Sequence, residues 1–239
     1  MTAKKIVHGD DLLYRFFQDA LQSRPELFAA VPLLLITTMG IWLPLDAYER
    51  WPVLLPWVVR DPKCRGNPRK GKPDEWSSPD AHGYLRDDNS LVKAIPRAMN
   101  IAGPKGSHIH EARMGSEFVA SHIWREVDHA ALASRHPLLN SFVPNLVWLP
   151  SQIAKLSDRQ GGIVQKTLEA VSYKVYRHAH VLPSLSEVVE EAWEMIPQPM
   201  LELEEFSLDD LNWFRTTPAF FRTRSLRLES VSHRSPRCN

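Results

Sequence analysis

The chain has little cysteine and almost no net charge. Its 239 residues include two cysteines, Cys64 and Cys238. Two are too few for a disulfide framework or for a structural zinc site built on cysteines. This composition favours a reducing setting, so we expect a cytoplasmic protein. The formal net charge is +1, which means that any attraction to a polyanion must come from local patches.

Several sequence signatures are also missing. The chain has no Walker loop and no G-x-G-x-x-G segment, so it offers no recognisable nucleotide-binding loop. It has no G-x-S-x-G segment, which argues against a serine hydrolase. The N-terminus lacks an apolar core followed by a small-residue cleavage site, so we predict no signal peptide.

One stretch, residues 27–45, is long and uncharged enough to be considered as a membrane span. Pro32, Gly40 and Pro44 interrupt it, and neither end carries a cluster of Lys or Arg. We therefore expect a buried helix followed by a turn, and no membrane partner. A membrane-associated protein is the alternative.

Apolar periodicity and capping residues predict an α+β protein that is mostly helical, with a small strand–strand–helix unit embedded among helices. We divide it into 1–100 (N-terminal helices and a basic loop), 101–180 (the central unit and a helix) and 181–239 (C-terminal helices and a tail). Helices are expected at 9–23, from Pro25 to about Met39, at Ser90–Ile95, at 163–178 and from Ser184 or Ser186 to Pro197, with a short strand at Trp57–Arg60. The helix at 163–178 has an apolar stripe made of Val164, Leu168, Val171 and Val175.

Residues 60–83 form a long loop with four prolines. Its basic side chains could follow the backbone of a nucleic acid, or the loop could be an ordinary solvated surface. The candidate binding residues in it are Arg65, Arg69, Lys70 and Lys72.

Three smaller features each allow two interpretations. Asp87 and Asp88 could bind a metal ion or cap the helix that follows. His108 and His110 would share one face of a strand and could bind metal, although no third ligand lies at a usable spacing. Basic and aromatic residues alternate over 215–227, which could form a second nucleic-acid surface or an ordinary packed tail.

The stretch 117–162 carries the strongest chemical signal. The apolar run Phe118–Ala120 leads to His122, and after a polar loop Asn145 opens a second apolar run, which ends at Pro150. A helix-like segment, Ser151 to Asp158, comes next. The order ASHIW, then NLVWLP, then a helix resembles the HNH (ββα-metal) endonuclease superfamily.

The resemblance implies roles for these residues. His122 would be the general base that activates water against a phosphodiester, and Asn145 would fix the loop between the strands and orient His122. One divalent metal ion, Mg²⁺ or Mn²⁺, would stabilise the developing charge. The implied activity is DNA hydrolysis by a restriction or phage-defence nuclease, and such enzymes are often homodimers because a palindromic site mirrors a two-fold axis.

The chain departs from the superfamily pattern in its metal ligands. Ser121 stands where many relatives have a metal-binding His or Asp, and the helix offers Gln152, Asp158 and Gln160 instead of His or Asn. Asp158 is the best ligand among them for Mg²⁺. Fallback ligands are Glu117, His108, His110 and Asp128, and Arg125 is a further candidate for DNA contact.

Two alternatives stay open at this stage. The central unit could be degenerate, in a non-catalytic module that binds nucleic acid or protein. Asp61-Pro62-Lys63 also resembles the end of a restriction-type PD-(D/E)xK core, but no acidic strand upstream completes it.

Overall fold

The structure, a computed structural model, describes residues 24, 27, 30–64, 79–107, 109–127, 131–203 and 206–232. The helix expected at 9–23 lies outside these residues. So do several candidate site residues, namely Arg65, Arg69, Lys70, Lys72, His108 and Asp128.

The described residues form seven α-helices and nine short strands. The helices are α1 (Ala30–Met39), α2 (Leu45–Arg50), α3 (Ser90–Ala94), α4 (Ser151–Ser157), α5 (Ile163–Tyr176), α6 (Ser186–Glu194) and α7 (Pro218–Ser232). The strands are β1 (Ile41–Trp42), β2 (Val58–Arg60), β3 (Leu85–Asp87), β4 (Ile101–Ala102), β5 (Phe118–His122), β6 (Glu126–Val127), β7 (Ala131–Leu132), β8 (Leu146–Pro150) and β9 (Asn212–Phe214). The α+β class is therefore confirmed, and helix is the larger share.

Five strands form one mixed sheet in the order β4-β9-β1-β8-β5. β1 runs parallel to β9, whereas the pairs β1–β8, β5–β8 and β4–β9 are antiparallel. Strands from the N-terminal, central and C-terminal regions thus share a single sheet, and one apolar core packs against it. β5, which ends at His122, is an edge strand, so one side of it can face a binding cavity.

Large aromatic side chains fill the core next to this sheet. Trp148 of β8 and Phe214 of β9 are fully buried, and their rings meet edge to face at 5.3 Å. The apolar stripe predicted for α5 is buried as expected, because residues spaced by three and four positions share one helix face. Its members are Val164, Leu168, Val171 and Val175.

The uncharged stretch 27–45 does not form one continuous helix. α1 ends at Met39, as predicted, and β1 follows at Ile41. Among the residues that the structure describes, no helix is long and apolar enough to cross a membrane.

Helix α3 begins at Ser90, as predicted, and Asp87, one of the two candidate caps, holds its first turn. Asn89 adopts a left-handed conformation (φ 60°) and its side chain makes no capping bond. The cap is instead Asp87, which is buried and accepts hydrogen bonds from the backbone N–H of Leu91, at 2.9 Å, and from the hydroxyl of Ser90. Asp87 is therefore held by the protein itself, as the capping interpretation required.

The C-terminal segment packs onto the body of the protein. Phe220 of α7 is fully buried, and the Arg224 guanidinium lies over the ring of Trp51 at 4.9 Å. These contacts agree with the packed-tail interpretation of this part of the chain.

Candidate active site around His122

The strand–strand–helix order expected from the sequence is present. β5 and β8 pair in antiparallel register, with His122 opposite Leu146. α4 follows β8 directly, and the backbone N–H of Ser151 donates to the carbonyl of Glu117 at 2.8 Å. This bond ties the start of α4 to the residue that precedes β5, so the helix lies beside the strand that carries His122.

Asn145 closes the loop between the two strands. It is fully buried. Its side-chain oxygen accepts from the backbone N–H of Trp124 at 2.8 Å, and its side-chain nitrogen donates to the carbonyl of Leu139 at 2.9 Å. Its own carbonyl accepts from the backbone N–H of Ile123 at 3.0 Å. Asn145 thus fixes the backbone that leaves His122 and does not itself line the cavity beside it.

The geometry sets the tautomer of His122. Its Nε2 lies 2.9 Å from the backbone carbonyl oxygen of Asn140. A carbonyl only accepts, so Nε2 carries the proton and Nδ1 carries the lone pair. Nδ1 is buried and has no hydrogen-bond partner among the described residues. The imidazole therefore holds an unused basic lone pair.

Burial lowers the pKa of His122 to about 4, with the positive charge of Arg60 acting in the same direction and the hydrogen bonding to Asn140 opposing it. The ring is consequently neutral near pH 7, as a general base must be, and its lowered pKa makes it a weaker base than an ordinary histidine. In this conformation Nε2 is occupied and Nδ1 is shielded, so a water molecule reaches Nδ1 only after a local rearrangement.

His122 borders a cavity of about 300 Å³. The charged side chains around it are three arginines and one carboxylate, so the cavity attracts anions. The polar residues that line it include Arg60, Ser121, His122, Arg125, Arg135 and Asp158. A second cavity, of about 360 Å³, shares Arg60 and Arg135 with the first, so two arginines stand between the cavities.

One face of the α4 region points into the first cavity. Ala154, Ser157 and Asp158, spaced by three and four residues, line it. Gln152 is exposed and is not among the lining residues. The guanidinium of Arg125 donates to the backbone carbonyl of Asp158, and no described residue pairs with the Asp158 carboxylate. Of the proposed helix ligands, the structure therefore places Asp158 at the cavity beside His122 and leaves Gln152 and Gln160 outside its lining.

The described residues contain no group of three His, Cys, Asp or Glu side chains that could hold a metal ion. The donors beside His122 are the Asp158 carboxylate and the hydroxyl of Ser121, which is 6% exposed. Mg²⁺ commonly uses one or two carboxylates and takes its remaining ligands from water and substrate phosphates. The donor set fits an ion held in this way and does not fit one held by protein ligands alone.

Three residues of the site were missed in the sequence. Arg135 and Asn140 carry no sequence pattern that marks them, and Arg60 was predicted only as the end of a short strand. Arg60 reaches the site from β2, and its Nε pairs with a carboxylate oxygen of Asp88 at 3.4 Å. Arg60, Arg135 and Asn140 come close to His122 only in the folded protein, where β2 lies beside the loop that precedes β8.

Comparisons of the chain with protein-family models, with curated proteins and with solved structures returned no match. The function is therefore inferred from the geometry around His122.

Proposed function

We propose that this protein is a metal-dependent endonuclease of HNH type that hydrolyses phosphodiester bonds in DNA. The observation that supports it most is the state of His122: a neutral imidazole with one nitrogen tied to a carbonyl and the other holding a free lone pair, beside a cavity with three arginines. A neutral base next to a positively charged site that can bind an anion suits attack of water on a phosphodiester.

In the proposed reaction, Nδ1 of His122 accepts a proton from water as the water oxygen forms a bond to phosphorus. The bond from phosphorus to the leaving sugar oxygen breaks, and that oxygen takes a proton from solvent. The Nε2–H to Asn140 bond keeps the ring oriented throughout. Arg60, Arg125 and Arg135 attract the phosphodiester and offset the charge that builds on its oxygens.

Asp158, together with Ser121 of the same cavity, would hold the divalent ion, Mg²⁺ or Mn²⁺. When bound, such an ion stabilises negative charge on the phosphate and on the leaving oxygen. The mechanism also requires the His122 ring to become accessible, because Nδ1 is buried in this conformation. We assign this opening to substrate binding, which supplies new contacts to the arginines at the cavity.

The biological setting that we propose is a restriction or phage-defence nuclease of the cytoplasm, which acts on DNA as a homodimer. The basic residues at 65–72 and Arg125 would add contacts to the DNA backbone, which are strong and independent of base sequence. The nuclease setting and the dimer follow from the resemblance of residues 117–162 to the HNH superfamily. The DNA contacts follow from the basic composition of the loop, and the cytoplasmic location from the low cysteine content.

The decisive experiment is a cleavage assay. Purified protein is incubated with plasmid and linear duplex DNA in Mg²⁺, in Mn²⁺ and in EDTA. His122→Ala is the test variant, and His180→Ala, an exposed histidine that lines neither cavity, is the matched control. We expect metal-dependent cleavage by the wild type and the control and none by His122→Ala. Absent cleavage by the wild type, or equal cleavage by His122→Ala, would refute the proposal.

A second candidate function is a non-catalytic module that binds phosphate backbones. The buried Nδ1 of His122 and the single carboxylate beside it favour this alternative. It predicts that the wild type binds DNA in the same assay without cutting it, and that His122→Ala binds equally well.

A further inference from the structure

Asn140 touches His122 through its backbone and a distant strand through its side chain. Its carbonyl oxygen is the partner of His122 Nε2 at 2.9 Å. Its side-chain nitrogen donates to the carbonyl of Val58 in β2 at 3.0 Å, across 82 positions of sequence. Asn140 is 1% exposed, so both bonds lie where water does not compete with them.

The strand that accepts the Asn140 side-chain hydrogen bond also carries a charged residue of the site. β2 ends at Arg60, which lines the cavity beside His122. β2 pairs in parallel with β3, and Asn89, just after β3, donates from its side chain to the carbonyl of Ala120 in β5 at 3.3 Å. The β2–β3 pair therefore meets the His122 strand on one side and the Asn140 loop on the other.

We propose that Asn140 is a positioning residue. Its side-chain bond to Val58 of β2 holds its backbone carbonyl in place, which fixes the Nε2–H tautomer of His122 and the placement of Arg60 relative to that ring. The inference rests on the proposed function for its catalytic consequence, while its structural part can be measured without activity. Asn140 contacts neither substrate nor metal in this assignment and acts only through His122 and Arg60.

The neighbouring residue provides a matched control. The hydroxyl of Ser141 accepts from the backbone N–H of Leu55 at 2.8 Å, so it anchors the same loop to the same N-terminal segment. It is also fully buried. It makes no bond to His122, which means that Ser141→Ala disturbs the loop anchor without removing the proposed positioning contact.

The test is spectroscopic. Protein labelled with ¹⁵N in its histidines is measured by NMR at one fixed pH, and the His122 signals are assigned by their loss in His122→Ala. We expect one protonated and one unprotonated ring nitrogen in the wild type and in Ser141→Ala. In Asn140→Ala and Asn140→Ser the two nitrogen signals should move toward each other, because both tautomers become populated. Thermal unfolding of each variant checks that the measured sample is folded.

Single-turnover cleavage gives a second measurement. We expect Asn140→Ala to cleave about tenfold more slowly than Ser141→Ala, because a misplaced base loses its alignment with the water. A wild-type tautomer pattern in folded Asn140→Ser, or an equal shift in Ser141→Ala, would overturn the inference. If the wild type cuts no DNA, the proposed nuclease activity is wrong, and the NMR outcome still decides the role of Asn140.

Discussion

The side-chain oxygen of Asn145 accepts a hydrogen bond from the backbone N–H of Trp124 at 2.8 Å. The two residues lie at opposite ends of the loop between β5 and β8, and the bond draws those ends together two residues beyond His122. Because Asn145 is fully buried, the bond belongs to the internal framework of the site and is not part of its surface.

Replacing Asn145 should therefore cost stability as well as function. Asn145→Ala leaves the N–H of Trp124 buried without a partner and removes one of the two donors to the carbonyl of Leu139, whose other donor is the backbone N–H of Phe142 at 3.4 Å. We expect the free energy of unfolding to fall by about 2–4 kcal/mol, measured by urea denaturation. Asn100→Ala is the control, because its side-chain bonds to Glu111 and Arg113 are both long (3.4 Å) and exposed. An equal loss in both variants would mean that the buried Asn145 bonds stabilise the fold no more than the exposed bonds of Asn100 do.

The arginines shared by the two cavities should govern DNA affinity. Arg135 is exposed, and we expect Arg135→Gln and Arg60→Gln each to weaken DNA binding in EDTA. Each should also reduce the slope of log affinity against log salt concentration by about 1, because one phosphate contact is lost. Fluorescence anisotropy with a labelled duplex measures both quantities.

Arg50→Gln is the matched control for this experiment. Arg50 is an exposed arginine on α2 that lines neither of these cavities. Unchanged affinity in Arg135→Gln, or the same loss in Arg50→Gln, would show that DNA is not held at the shared arginines.

Local patterns predicted the parts of the site that lie close together in the sequence. The apolar runs around His122 and Asn145 predicted β5 and β8, and the spacing of Val164 and Leu168 predicted the buried face of α5. Each of these features depends on residues within one element or on two successive strands. Such features have a period or an order that can be recognised before folding.

The remaining parts depend on contacts between distant segments. Asn140 reaches Val58 across 82 positions, and Arg60 enters the cavity only because β2 docks beside that loop. No periodicity records such a contact. The prediction of Gln152 as a metal ligand was wrong for a simpler reason. Gln152 lies on the predicted helix, but the helical spacing that places Asp158 at the cavity turns Gln152 away from it.

Glu169 predicts how stability changes with pH. Burial raises the pKa of this half-buried residue of α5 from 4.5 to about 7, with Lys166 opposing the shift. Between these values the folded protein keeps a proton that the unfolded chain releases, so this contribution to stability is lost as the pH rises toward 7. The free energy of unfolding of Glu169→Gln, relative to that of the wild type, should therefore be higher at pH 8 than at pH 5 by at least about 1 kcal/mol.

Urea denaturation at the two pH values measures this difference. Glu187→Gln, at an exposed glutamate of α6, is the control and should show no such dependence. A pH-independent difference for Glu169→Gln would mean that Glu169 titrates as an ordinary exposed glutamate.

The metal proposal depends on one carboxylate, and this gives the sharpest test of the site. Asp158 lines the cavity beside His122, whereas Gln152 on the same helix does not. Asp158→Asn should raise the Mg²⁺ concentration that gives half-maximal cleavage by about tenfold or more, because a neutral amide binds a hard cation less well than a carboxylate. Gln152→Ala should leave that concentration unchanged.

A measurement without DNA separates metal binding from catalysis. A ligand that binds only the folded state raises the unfolding temperature with its concentration. We expect Mn²⁺ to stabilise the wild type and Gln152→Ala and to have little effect on Asp158→Asn. Equal stabilisation of all three would place the ion elsewhere. A cleavage defect in Gln152→Ala as large as that in Asp158→Asn would contradict the helix orientation, since only Asp158 lines the cavity beside His122.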